Sequence, residues 1–270
     1  WLYHQICTAL DCRPAAEQPK REWPLLPMEP LSQVRLDQAL GEKEYRKQLK
    51  KCRKELAELF EAKPEDIVFT MNATHALNIA IHALARPGMK VAVSGFEHNA
   101  VMRPLALHGI DPAVLHTPLW QPERMVQEVR RALGEGTELF ILNHVSNVFG
   151  AVCPLDEIGR LLSAAGVPLI LDASQSAGVL PVDLQSTGAA FIGMPGHKGL
   201  YGPQGTGLLL CGTEKVKPLM EGGTGSMSML REMPPDLPDR LEAGTQNIPG
   251  IAGLLEGIRF VRRMGPDVIL

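Results

Sequence analysis

No stretch of the 270 residues is long and apolar enough to cross a bilayer, which takes about 18 to 20 consecutive apolar residues. The start of the chain also lacks the apolar centre of a signal peptide, so the expectation is a cytoplasmic protein with no membrane partner. Charge of one sign is missing too. Lys plus Arg number 27 against 30 Asp plus Glu, a formal net charge of −3, which gives no long-range field for a polyanion and argues against nucleic acid as a partner. Cysteines are few: Cys7, Cys12, Cys52, Cys153 and Cys211 form an odd, scattered set with no disulfide framework, as in a reducing compartment. Cys7 and Cys12 lack the second ligand pair of a closed zinc site, and no metal is expected. Cys153 and Cys211 lie beside strand-like runs and read as buried fillers.

What the chain does have is 45% hydrophobic residues, enough for a large core in one wide domain. Residues 1–30 carry several prolines and no apolar periodicity, and are expected to be irregular. From Glu42 to Ala62 the residues Leu49, Cys52, Leu56, Leu59 and Phe60 fall on one face of a charged, amphipathic surface helix. Short apolar runs then predict strands at Ile67–Thr70, Lys90–Ser94, Glu138–His144, Val167–Asp172 and Ala189–Met194. Helices fit between them at Ala73–Leu84, Asn99–His108, Pro122–Leu133 and Pro154–Ala165. This β-α-β-α order implies an α/β fold, a mainly parallel sheet covered on both faces. A last strand, Thr206–Cys211, follows after too short a connection for a helical crossover and should be antiparallel to its predecessor.

In such sheets ligands bind beyond the carboxyl ends of the strands, and those positions are polar here. After the first strand, Asn72-Ala73-Thr74 opens a helix whose free amides suit a phosphate, although simple capping by Asn72 or Thr74 explains the same residues. After the second comes Glu97-His98-Asn99, where the imidazole could stack on a flat ring or move protons. After the third, Asn147 either donates to a phenolate or carboxylate oxygen or belongs to a turn. The fourth strand ends at Asp172, a carboxylate at the end of a buried run that needs a cation: a salt-bridge partner or a pyridinium nitrogen. The fifth leads into a loop with five glycines in the twelve residues from Gly196 to Gly207, which signals close backbone approach. Within it stands Lys198, in what should be an enclosed site where an amine condenses readily with an aldehyde. The spacing is not that of a nucleotide-binding P-loop. A buried acid, a loop lysine, a stacking imidazole and a phosphate-ready helix start together describe pyridoxal 5′-phosphate.

From about Leu49 to Phe260 the sequence resembles the class V, fold-type I pyridoxal phosphate enzymes, and within them the cysteine desulfurase and selenocysteine lyase-like proteins. The stretches that carry the likeness are FTMNATHALN, FEHNAVMRPL, HVSNVFGAV, LDASQSAG, GHKGLYGPQGTG, GGTGS and LEAGTQNIPGIAGL, with GHK and the upstream DASQ the most specific. The resemblance implies the fold-type I large domain, a three-layer α/β/α arrangement over residues 31–250, with residues 251–270 beginning a C-terminal small domain that is largely missing. It implies that Lys198 holds the cofactor as a Schiff base and shuttles a proton, and that Asp172 pairs with the pyridine nitrogen. It implies that Gln175 donates to the phenolic oxygen and that His98 stacks on the ring and acts in proton transfer. Thr74 and His197 would hold the phosphate with the amides of Ala73 and Thr74, and Asn147 would lie near the phenolic oxygen and the substrate carboxylate.

Thr245 matches a residue that reaches the neighbouring subunit's phosphate, which implies a homodimer. The reaction implied converts L-cysteine, joined to the cofactor as an external aldimine, to L-alanine, with the sulfur passing to an acceptor protein or thiol. Another class V transamination or lyase reaction, or a catalytically silent remnant, are the alternatives. Pro195 departs from the family by standing where many desulfurases have a phosphate-binding serine. Both ends depart as well, since the family's N-terminal segment is not recognisable in residues 1–30, and its carboxylate-binding arginine and sulfur-accepting cysteine have no counterpart. The helix expected over Asn247–Met264 should therefore expose an apolar face.

Overall fold

Strands buried on both faces have no polar side, so they form where short runs of branched and aromatic residues occur between turns. The computed structural model describes residues 33–269 except 215 and 228. Its strands are β1 (Ile67–Thr70), β2 (Val91–Val93), β3 (Ala113–Val114), β4 (Leu139–Asn143), β5 (Leu169–Asp172), β6 (Phe191–Pro195) and β7 (Gly207–Cys211). Every residue of β1, β2 and β4 to β7 is buried. The order across the sheet is β1-β7-β6-β5-β4-β2-β3. Strands β2 to β6 run parallel, and β7 is antiparallel to both β6 and β1, as the short connection required. Only β3 was not legible in the sequence. It is a two-residue, exposed edge strand with no apolar run to betray it.

The helices are α1 (Gln33–Leu59), α2 (Ala73–Leu84), α3 (Asn99–Leu107), α4 (Pro122–Gly134), α5 (Leu155–Ala165), α6 (Leu184–Thr187), α7 (Ile248–Met264) and α8 (Pro266–Ile269). Local signals set their ends: Pro122 opens α4, and Gly166 closes α5 in the left-handed conformation at φ 66°. Helix α1 begins ahead of the expected Glu42, because the polar residues there are good helix formers without an apolar stripe. Alternate residues of the strands feed two core layers. One joins Phe140, Leu142 and Leu171 to α1, α4, α5 and α7; the other joins Ile141, Ile170 and Phe191 to α2 and α3. The result is the three-layer α/β/α fold expected from the strand–helix alternation. The segment 1–30 lies outside the described residues.

Helix α7 corrects one expectation. Its Ile251, Leu254, Leu255, Ile258 and Val261 are buried rather than exposed, packed with Cys52 and Leu56 of α1 in the first core layer. Burying each such side chain is worth about 1.5 to 3 kcal/mol, which secures α7 to this core layer. Gly257 lets α7 approach the lysine loop closely, since a Cβ there would sit 2.3 Å from the Leu200 carbonyl oxygen.

Candidate active site

The carboxyl ends of β1, β2, β4, β5 and β6 open on one cavity of about 180 Å³. Ala73 and Thr74, from the start of α2, form one wall. The side chain of Asn72 caps this helix by accepting from the His75 N–H at 2.9 Å. The cap takes the third amide of the turn and leaves those of Ala73 and Thr74 directed to no acceptor among the described residues. Capping and amides open to an anion, which read as rivals in the sequence, therefore coexist in one turn. Gly207 makes room for it: a Cβ there would lie 2.6 Å from the Asn72 backbone.

Asp172 forms the floor. It is 2% exposed, and its Oδ1 accepts from the Ser174 N–H at 2.9 Å. Among the described residues no Lys, Arg or His lies within ion-pair distance of it. A buried carboxylate without a protein cation is poised for a cationic ligand, which is the condition a protonated pyridine nitrogen meets. Gln175 follows on the same turn and lines the cavity, half-buried.

Lys198 and His197 stand on the glycine-rich loop after β6 and reach the cavity from the other side. The close approach predicted from the glycines is real: a Cβ on Gly199 would sit 2.4 Å from the Ala177 carbonyl oxygen, and one on Gly178 2.3 Å from that of Gly199. The Asp172 turn and the Lys198 loop are thus packed backbone to backbone. The expected enclosure of the lysine is not found, because Lys198 and His197 are exposed at the cavity mouth. Pro195, the departure from the family's serine, ends β6 and lines the cavity.

His98 caps α3, its Nδ1 accepting from the Ala100 N–H at 3.1 Å. With Nδ1 an acceptor, the neutral ring carries its proton on Nε2. Asn147, exposed in the turn after β4, completes the lining with Asn143.

Two participants carried no role in the sequence reading. Asn143 ends β4 beside Asp172 on β5, and its Oδ1 is buried without a partner. Glu97 lies under His98, and its Oε1 accepts from the N–H groups of Ser94 (3.2 Å) and Asn143 (3.0 Å) and from the Ser94 hydroxyl. The residue as a whole is half-buried, but Oε2 is shut off from solvent and has no partner. Burial, with the nearby Asp172 charge adding to it, pushes the Glu97 carboxyl up to about 7. Its position just before His98 at a strand end was the available signal.

Thr245 does not join this cavity. It lines a second one of about 980 Å³ between α1 and the 223–246 segment, with Lys50, Arg53, Thr224 and Glu242 among its neighbours.

Residues 32–269 match the sequence pattern of the family Aminotransferase class-V. The chain belongs to the class V aminotransferase family. This family depends on pyridoxal phosphate. A "Probable cysteine desulfurase" of Methanothermobacter thermautotrophicus is 36% identical over 231 residues, covering 81% of this chain and 57% of that protein. A cysteine desulfurase of Dickeya dadantii is 33% identical over 224 residues, covering 77% of this chain and 53% of its own length. The chain thus spans a little over half the length of these class V relatives. Among solved structures, the apo cysteine desulfurase of Thermococcus onnurineus NA1 superposes with a TM-score of 0.74 at 26% identity, covering 98% of this chain and 65% of that one. SspA in complex with cysteine superposes with a TM-score of 0.68 at 28% identity, covering 80% and 61%.

Proposed function

We propose that this chain binds pyridoxal 5′-phosphate through Lys198 and forms the cofactor-binding part of a homodimeric, cytoplasmic cysteine desulfurase. The observation that carries the reading is the pairing in one cavity of an exposed lysine with a buried carboxylate that no protein cation neutralises. When bound, the cofactor supplies an aldehyde for the amine and a protonated ring that draws electrons from the substrate carbon. Lys198 Nζ furnishes the amine and moves a proton to and from that carbon. Asp172 holds the proton on the ring nitrogen. His98 covers one ring face and offers Nε2–H for proton transfer. Thr74 and His197, with the Ala73 and Thr74 amides, bind the phosphate. Gln175 and Asn147 donate to the phenolic oxygen and the substrate carboxylate.

The names of the relatives support L-cysteine as substrate, and L-alanine is what remains when its sulfur is removed and replaced by a proton. The described cysteines support an acceptor thiol elsewhere: Cys52, Cys153 and Cys211 are buried and free, and burial pushes each thiol up, which makes all three poor sulfur acceptors. The homodimer rests on the family likeness at Thr245, which is exposed beside the second cavity and does not line this chain's own cofactor cavity.

The test is covalent. Adding pyridoxal phosphate to the purified protein should produce a visible absorption band, and borohydride reduction should fix the cofactor to the peptide bearing Lys198. Lys198→Ala should abolish both, along with sulfide release from cysteine. A folded protein that stays colourless, or an adduct on a different lysine, would overturn the reading.

A further inference from the structure

The carboxyl of Glu97 is buried behind the cavity lining, bonded to Asn143 of that lining, in a way the proposed reaction does not use. Its Oε1 collects three donors, the Ser94 N–H, the Ser94 hydroxyl and the Asn143 N–H, so one oxygen ties the end of β2 to the end of β4. The same knot includes the Phe96 N–H, which donates to Ser94 Oγ at 3.2 Å. It delivers the chain straight into His98, the cap of α3. The other oxygen, Oε2, is excluded from water and accepts nothing, and Oδ1 of Asn143 is in the same condition.

The titratable groups that face this carboxyl are Asp172 at the end of β5 and Cys153 on the segment after β4. Neither is a cation. His98, next in the chain, is exposed, turned to its helix cap and bonded to Ala100. A second buried anion beside Asp172, with one oxygen unsatisfied, is costly; the donors on Oε1 offset part of that cost, and a proton on Oε2 removes the charge itself. Two neighbouring carboxyl groups, Asp172 in the cavity lining and Glu97 behind it, then carry different charges, as happens where environments drive neighbouring acids apart.

We propose that Glu97 is a positioning residue held as a neutral acid at mildly acidic pH, locking β2 to β4 so that His98 faces the ring site and Asp172 is there the single anion beneath it. The protonation state stands on this chain's own geometry; its consequence for the ring rests on the pyridoxal phosphate reading. Glu97→Gln mimics the neutral acid, with an oxygen for the three donors and an N–H in place of Oε2–H.

Infrared difference spectra of the cofactor-free protein, wild type against Glu97→Gln, test the state directly. A protonated-carboxyl band present at pH 6 and lost with a midpoint near about 7 is expected in the wild type and absent from the variant. No difference between the two at pH 6 would overturn the proposal. Asp172→Asn is the second handle: with the neighbouring charge removed, the band should disappear at lower pH, and an unmoved midpoint would overturn the coupling. Thermal unfolding adds the linkage. A carboxyl whose folded value lies above its ordinary 4.5 keeps its proton only in the folded state between about 4.5 and 7, so stability falls as pH rises through that window. The fall should vanish in Glu97→Gln.

In the cofactor-loaded protein the wild type should show a step in the visible band with a midpoint near about 7 that is missing from the variant. A merely structural role would lower occupancy equally at every pH and would contradict the proposal. A colourless wild type with the infrared band intact would instead sink the cofactor reading and leave the neutral Glu97 standing.

Discussion

Asp172 and Glu242 are acids of similar burial, 2% and 7% exposed, and they are served in opposite ways. Glu242 is fully partnered: Arg53 reaches Oε2 at 2.6 Å, the Phe69 N–H reaches Oε1 at 2.6 Å, and the guanidinium lies 4.5 Å over the Phe69 ring. That set ties α1, β1 and the segment leading to Thr245 into one piece. Asp172 has, among the described residues, a single backbone donor and no cation. Burial of a charge by itself does not distinguish a structural acid from a functional one; the difference is whether the protein supplies the counter-charge or leaves that to a ligand.

Breaking the partnered acid should have the largest effect. Glu242→Ala leaves Arg53 buried without its anion and should cost about 3 to 5 kcal/mol of folding stability, seen as a lowered urea midpoint. Asp172→Asn should separate the two acids. The cofactor-free protein should keep its stability, because no protein ion pair is lost, while pyridoxal phosphate affinity should drop roughly 10- to 100-fold, the loss of a charge-assisted bond of about 1.5 to 3 kcal/mol. Equal stability losses from the two substitutions would erase the contrast drawn between them. The smallest effect is expected at the phosphate wall. Asn72→Ala removes a helix cap worth about 1 kcal/mol, lowering the unfolding temperature by a few degrees while cofactor binding persists, because the Ala73 and Thr74 amides remain.

The Lys198 loop and the Asp172 turn were legible because their signals are local. Glycine spacing around a lysine and a carboxylate ending an apolar run are properties of a dozen consecutive residues, and the sheet topology places strand ends together whatever else packs around them. Glu97 was read as part of a motif but not as a participant, since its significance lies in an oxygen that finds no partner. That becomes visible only once Asn143 and Asp172 arrive from other strands. The C-terminal helix was misread for a related reason. Its apolar face was recognised, but its partner, α1, precedes it by some two hundred residues, and no periodicity reveals which distant surface will cover it.

The sequence by itself determined the strands other than β3, the longer helices, the antiparallel turn-back of β7 and the residue types gathered at the strand ends, because hydrophobic period, capping and short connections act between near neighbours. Tertiary structure alone decided that Lys198 stands exposed at the cavity mouth, that Arg53 and Glu242, 189 positions apart, find each other, and that Glu97 lies beside Asp172. Charge, burial and satisfaction of polar atoms depend on everything within a few ångströms, and distance in space is what a linear chain does not record.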